Sequence, residues 1–281
     1  MKNLQYELLH GGSLILLFMI IVMLSKLVND LLTPYKVDEE LTNKDNVALS
    51  TSIGGYFLAT TIIFIGALIG PSEGIIQDLL GVGSYSALGI CLLNVSRFIN
   101  DKLILRKFSN VKEIIEDRNA GTGAVQFGSY VASGLIIAGA IHGDGGGVDT
   151  ALAFFLLGQV ALIIFTALYN FITPFDIHDE IEKDNVAAGV AFGGCLIAVG
   201  IILMKGASGN FISWQYNLSV FGLDVILVFI LLPVVRFFFD KIVLPRASLD
   251  HEIQVDRNLG AGLLEMIVFM SFASILFFTM A

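Results

Sequence analysis

The chain has 281 residues, of which 56% are hydrophobic and 15% charged, with 22 Phe and a mean hydropathy of +0.82. A soluble domain must keep its surface wet and cannot be this apolar, so the composition describes a membrane protein. The net charge of −9 offers a nucleic acid nothing to bind, and the distribution of charge across the bilayer matters more than its sum.

A bilayer core of about 30 Å needs roughly 20 apolar residues per helix. Eight stretches meet that requirement, at about 12–32, 47–70, 79–99, 120–141, 150–172, 186–204, 216–239 and 259–281. The segments between them are too short to bury a core of their own, which predicts an all-α polytopic transmembrane helical bundle without a soluble domain. The first run lacks the basic start and small-residue cleavage site of a signal peptide and is expected to stay in the mature chain. Cys91 and Cys195 fall inside apolar runs, where they read as packing residues.

The polar string after the first run, "ELTNKDNVALS" from Glu40, returns as "EIIEDRNAGTG" from Glu113, "EIEKDNVAAG" from Glu180 and "EIQVDRNLGAG" from Glu252. The first half also lays over the second. "TPYKVDEELTNKDNVA" from Thr33 answers "TPFDIHDEIEKDNVA" from Thr173, and "RFINDKLILRK" from Arg97 answers "RFFFDKIVLPR" from Arg236. The chain reads as a tandem duplication, 1–143 and 144–281, in which each half divides again into two-helix units. Each unit has an even number of spans, so the four repeats are parallel, which disfavours the inverted repeats of many transporters. A pseudo-fourfold or two-plus-two arrangement about an axis along the membrane normal is expected. Of the 16 Lys and Arg, all but Lys2 and Lys205 lie on the side of the repeated strings, Arg246 among them. That bias predicts cytoplasmic strings and periplasmic termini.

Asn46, Asn119, Asn185 and Asn258 are common to the four strings. Each directly precedes an apolar run, where its side chain can accept from an amide of the first helical turn. Small residues follow at the second and fourth positions, such as Ala48 and Ser50 or Gly260 and Gly262, and allow close helix approach in lipid. Two interpretations stay open. The motif is a set of N-caps at the membrane surface, or four helix starts converge on a vestibule rimmed by Glu40, Glu113, Glu180 and Glu252. The glutamates would draw cations and the helix ends anions, so the motif does not choose an ion sign; the ordinary alternative is a solvated loop face paired with Lys and Arg.

Inside the membrane, Asp224 and Glu265 are the costly residues, since a charge at mid-bilayer costs about 2.5–3.5 kcal/mol. Glu265 lies as far beyond Asn258 as Gln126 lies beyond Asn119, so one depth is polar in both halves. The fourth span carries a polar or small stripe through Gln126, and the fourth and eighth spans are expected to face the interior and line any path. Pro233 is expected to kink the seventh span and free a carbonyl, with Asn94 adding polarity at the matching depth of the third. Interhelical hydrogen bonds that fix packing would account for the same residues. His10, His142, His178 and His251 lack metal-ligand spacing, and His178 and His251 read as solvated. The "GDGGG" stretch lacks the strand and Lys of a phosphate loop, so no enzyme, metal or cofactor is expected.

With its duplicated "KDNVA" and "DRN" strings, the chain resembles the YjfL-like family of bacterial inner-membrane proteins over nearly its whole length, in a doubled form. The resemblance implies an inner-membrane location and a repeated fold, and it carries over no catalytic residues. The functional expectation is a channel or transporter for a small ion or solute, alone or as a homo-oligomer. The alternative is an accessory or scaffolding membrane protein that binds lipids or partner subunits.

Overall fold

The structure, a computed structural model, describes residues 2–243 and 247–279, so Arg246 and the end of the eighth expected span lie outside the described residues. Eight helices are long and apolar enough to cross a membrane. They are α1 (Lys2–Leu32), α3 (Val47–Leu68), α4 (Ile75–Ile99), α6 (Ala120–Ile141), α7 (Val148–Ile172), α9 (Val186–Ala207), α10 (Trp214–Phe238) and α12 (Leu259–Thr279). The expected loops before α3, α6, α9 and α12 each contain a short helix instead: α2 (Val37–Thr42), α5 (Asn110–Ile115), α8 (Ile177–Glu182) and α11 (Leu249–Gln254). Apolar residues one turn apart, Ile177 with Ile181 and Leu249 with Ile253, are buried beneath these helices, while a single turn is too short to give a periodic sequence signal.

Each short helix joins its long helix by the same turn. Asp45, Arg118, Asp184 and Arg257 adopt positive φ (48°, 53°, 54° and 49°), and the next residue is the repeated Asn. Its backbone amide bonds back to the carbonyl of Glu40, Glu113, Glu180 or Glu252. Its side-chain oxygen caps the following helix, accepting from Leu49, Thr122, Ala188 or Ala261. The capping oxygen satisfies an amide that would otherwise meet the membrane unpaired.

The second helices of the four quarters form a row, α3–α6–α9–α12, rather than a ring. Each of α4, α7 and α10 lies over the seam between the row helices of its own and the preceding quarter; α1 has no preceding seam and is the least buried span. The correction to the expected pseudo-fourfold arrangement has a local cause. The Asn amide points forward: Asn46 donates to the Ile114 carbonyl (2.8 Å), Asn119 to Ile181 (2.7 Å) and Asn185 to Ile253 (2.9 Å). The seams are also too close for side chains. A Cβ on Gly123, Gly189 or Gly262 would overlap the carbonyl oxygens of Ala48, Gly121 or Ala187 across the seam, and Gly55, Gly128 and Gly194 meet Phe127, Gly193 and Met266 in the same way. At the outer faces of the row these positions hold Ser50 and the exposed Ile267, so the pattern stops at both ends. As a result α9, not α12, is the most buried span, and α12 closes the row with one face outward.

Two π-helical turns extend the outer helices, Asn100–Ile104 after α4 and Phe239–Val243 after α10. α10 runs through Pro233 as one α-helix. Pro233 is not the source of the irregularity, because the π turn after α4 has no proline. His178 is buried rather than solvated, and its Nε2 donates to the Ile104 carbonyl (2.7 Å), tying α8 to the end of the first π turn. His251 is exposed, as expected for a loop-side histidine.

Candidate functional site

The repeated glutamates do not form a solvated rim. Glu40, Glu113 and Glu180 are buried, and only Glu252 is partly exposed. Glu113, Glu180 and Glu252 accept from the side-chain amide of their own quarter's Asn at 2.8, 3.1 and 2.8 Å. Glu40 accepts instead from Lys44 (2.5 Å), and Glu180 also from Lys183 (3.2 Å). The Lys44 ammonium holds the Glu40 carboxyl below its ordinary value, whereas burial pushes that of Glu113 up. The motif is a joint that closes a turn, caps a helix and bridges a seam, and these three bonds use most of its polar capacity.

Glu265 is fully buried on α12 and forms an ion pair with Arg236 of α10. The same guanidinium donates to Tyr169 (3.1 Å) and to Asp250 (2.5 Å). Phe239 and Phe269, both buried, lie on the flanking π turn and helix. The cluster sets two carboxylates against one guanidinium, and Arg236 and Asp250 also line a pocket at the surface. Asp224 lies elsewhere on α10, buried against Gly206 of α9, where an added Cβ would come within 3.0 Å of its Oδ2. Glu265 and Gln126 do not meet across one path, because α9 separates α12 from α6.

Gln126 and Asn94 belong to a different assembly, formed by α1, α3, α4 and α6 in the first half. Near the short-helix side, Arg97, Asn100, Asp101, Gln126, Ser129 and Tyr130 line a small cavity. Arg97 donates to Asn29 (3.2 Å), and Ser52 donates to Gln126 (2.6 Å). One turn deeper on α4, Asn94 donates to the Tyr56 hydroxyl (3.0 Å), which donates to the Ser25 carbonyl (3.2 Å). The Ser25 and Thr60 hydroxyls pair at 2.8 Å. Beyond them Ile21, Phe64, Val82 and Ile90 pack with Phe18 into an apolar plug. On the far side of the plug an open cleft is lined by His10, Asp78, Tyr85 and His142, with His10 and Asp78 2.9 Å apart. From Asp78 to Arg97 along α4 the rise is about 28 Å at 1.5 Å per residue, nearly the thickness of the hydrocarbon core.

Among the described residues the second half does not repeat this column. By register from the repeated Asn and Thr, Ser25 corresponds to Phe165, Ser52 to Ala191, Tyr56 to Cys195, Thr60 to Val199, Asn94 to Pro233, Asn100 to Phe239 and Ser129 to Val268. Of these residues sequence reasoning named Asn94 and missed the others, because Ser, Thr and Tyr carry no charge and interrupt an apolar run only weakly. Laying one half over the other position by position is the signal that finds them.

Comparison with known proteins places this geometry in a family. The model of DUF350, a domain of unknown function, matches twice, at residues 3–141 and 145–280. The chain is 27% identical over 271 residues to a UPF0719 transmembrane protein of Aquifex aeolicus, covering 94% of this chain and 97% of that one. It is 28% identical over 119 residues to the UPF0719 inner membrane protein YjfL of Escherichia coli K12, covering 41% of this chain and 83% of the relative. It is 22% identical over 117 residues to the UPF0719 transmembrane protein YshE of Bacillus subtilis, covering 41% and 81%. No solved structure matches it. Eight spans, quarters joined by one repeated turn and two successive matches to the same model make this chain a doubled member of the DUF350 family of transmembrane proteins.

Proposed function

We propose that the first half forms a gated conduit for a small ion or polar solute and that the second half is the scaffold against which it is built. The observation that carries this reading is the sequence of cleft, apolar plug and polar column along α1, α3, α4 and α6, set beside a second half in which the positions of Ser25, Ser52, Thr60, Asn94, Asn100 and Ser129 are apolar. Apolar constrictions gate by excluding water, and polar residues at membrane depth are expensive unless they line a route or hold helices together. α1, the least buried span, closes one side of the column and needs to break few contacts to move. The inner-membrane location in YjfL's name and the excess of Lys and Arg beside the short helices support an inner-membrane orientation with cytoplasmic short helices. The scaffolding alternative is favoured by one observation, the unbroken plug.

Thiol labelling and flux separate the two. With Cys91 and Cys195 replaced, a polar thiol reagent supplied from the short-helix side should label Ser129→Cys and spare Val268→Cys. Reconstituted vesicles should pass a small solute such as formate or glycerol in a swelling assay, and Phe64→Ala should raise that rate several-fold. Equal labelling in both halves together with no flux in either protein supports the scaffold and ends the conduit reading.

A further inference from the structure

The duplication makes the second half a built-in reference for the first. Arg97 and Arg236 stand at equal distance before Asn119 and Asn258, and Gln126 and Glu265 at equal distance after them. In the second half the guanidinium donates to Glu265, Tyr169 and Asp250 and lies over the Tyr169 ring. In the first half three of these partners change: Glu265 becomes Gln126, Tyr169 becomes Asn29 and Asp250 becomes Val111. Among the described residues Arg97 has no carboxylate within 4.0 Å. Gln126 accepts from Ser52 on α3, and Arg97 and Gln126 both line the cavity. Its wall also holds Asn100 and Ser129, 6% and 3% exposed. Both atoms of the Asn100 amide and the Ser129 hydroxyl have no hydrogen-bond partner in the described chain. A half-buried cation with no carboxylate within 4.0 Å, beside an amide nitrogen and a hydroxyl that lack acceptors, is an arrangement that an anion completes.

We propose that the first-half cavity binds a small monoanion with a planar carboxylate, of the size of formate, on Arg97 in the place that the Glu265 carboxylate takes on Arg236. Arg97 and Asn100 supply N–H donors and Ser129 a hydroxyl. The charge is limited to one because Asp101 borders the cavity, with its Oδ1 accepting from Asn110 (2.6 Å). The counterpart Asp240 sits one turn beyond Arg236 in the second half, so a carboxylate on the arginine is compatible with an aspartate at that position. The small size of the cavity favours formate over longer acids. This assigns a ligand class to the conduit proposed above and rests on that reading for its purpose, whereas binding itself can be measured without flux.

The test is equilibrium binding of labelled formate to the purified full chain in nanodiscs at constant ionic strength, with chloride as competitor. Saturable binding at a single site is expected. Gln126→Glu places the chain's own carboxylate on Arg97, as in the second half, and should weaken formate at least tenfold while the circular dichroism and elution volume stay as in the wild type. Ser129→Ala should weaken it as well, by several-fold, and keeps the test open should Gln126→Glu fold poorly. Wild-type protein that binds no formate saturably, or Gln126→Glu that binds it unchanged, overturns the assignment. Formate binding without flux overturns the conduit alone, and flux of another solute without formate binding overturns this assignment alone.

Discussion

Replacing Asn185 with alanine is the sharpest probe of the row, because the same residue type occurs at three seams and once where the row ends. Asn185 is fully buried, caps α9 through Ala188 (3.1 Å), and donates to Glu180 (3.1 Å) and to the Ile253 carbonyl across the seam (2.9 Å). Loss of the cap costs about 1 kcal/mol. Leaving a buried carbonyl and a buried carboxylate each short of a donor costs about 1–3 kcal/mol apiece, and because Lys183 still donates to Glu180 the total falls toward the low end, about 4 kcal/mol. Asn258 caps Gly260 (3.0 Å) and donates to the partly exposed Glu252 (2.8 Å), and among the described residues its amide donates to no carbonyl across a seam. Its replacement should cost about 1 kcal/mol. The difference, about 3 kcal/mol, is more than a hundredfold in the unfolding equilibrium. Reversible unfolding in mixed micelles, or steric trapping in bicelles, reads it directly. Equal losses at Asn185 and Asn258 would refute the open row, because Asn258 would then have to reach a partner of its own.

Two further outcomes follow from the buried charges. Glu265→Gln should destabilise the fold by about 1–3 kcal/mol, because Arg236 loses one carboxylate and keeps Asp250, whereas Arg236→Met with Glu265→Met should cost less; a double variant as unstable as the single one contradicts a purely structural pair. The two glutamates with opposite shifts should respond oppositely to acid. Glu40 is held below its ordinary value of 4.5 by Lys44, so its contribution is complete above that value and is lost as pH falls through the lowered one. Glu113 is raised above 4.5 by burial, so its ionisation weakens the fold as pH rises from 4.5 through the raised value. Hydrogen exchange corrected for intrinsic rates should therefore show α2 losing protection between pH 5.5 and 3.5 while α5 keeps or gains it, and Lys44→Met should remove the α2 response. Parallel behaviour in the two segments would show that the shifts have other causes.

The helices and the repeats were legible in the sequence because each rests on a strong local signal, an apolar run of bilayer length or a string recurring at fixed distance. The arrangement of the repeats was not legible from period alone. A ring and a row of parallel units share the same sequence period and differ only at the ends, where Ser50 and Ile267 replace glycine. Those two residues were in plain view, but their meaning depends on knowing that the fourth and ninth positions after Asn face across a seam. The glutamates misled in the opposite direction. A repeated acidic residue beside a helix start reads as a rim, and only the side-chain amide of the next motif residue, folded back by a positive-φ turn, puts it under the surface. Within the membrane, charge drew attention to Asp224 and Glu265, although a charged pair that neutralises itself is the better packing element and an unpaired polar set the better site.

That last contrast explains why a doubled chain holds two versions of one arginine site. Two identical units facing each other would give every position in both sites the same residue, so neither could lose its carboxylate without the other. Fusion removes that restriction. The second half keeps Arg236 locked by Glu265 and lines its interior with Phe165, Val199 and Phe239, which gives α9 the tight seams on which the row depends. The first half, anchored by that row, can hold Ser25, Tyr56, Thr60, Asn94 and an Arg97 without a carboxylate at the same positions. A half-buried arginine without a carboxylate partner is a burden in an isolated unit. Here α6 is clamped between α3 and α9, so the polar positions of the first half stand on the row that the apolar positions of the second half help to pack.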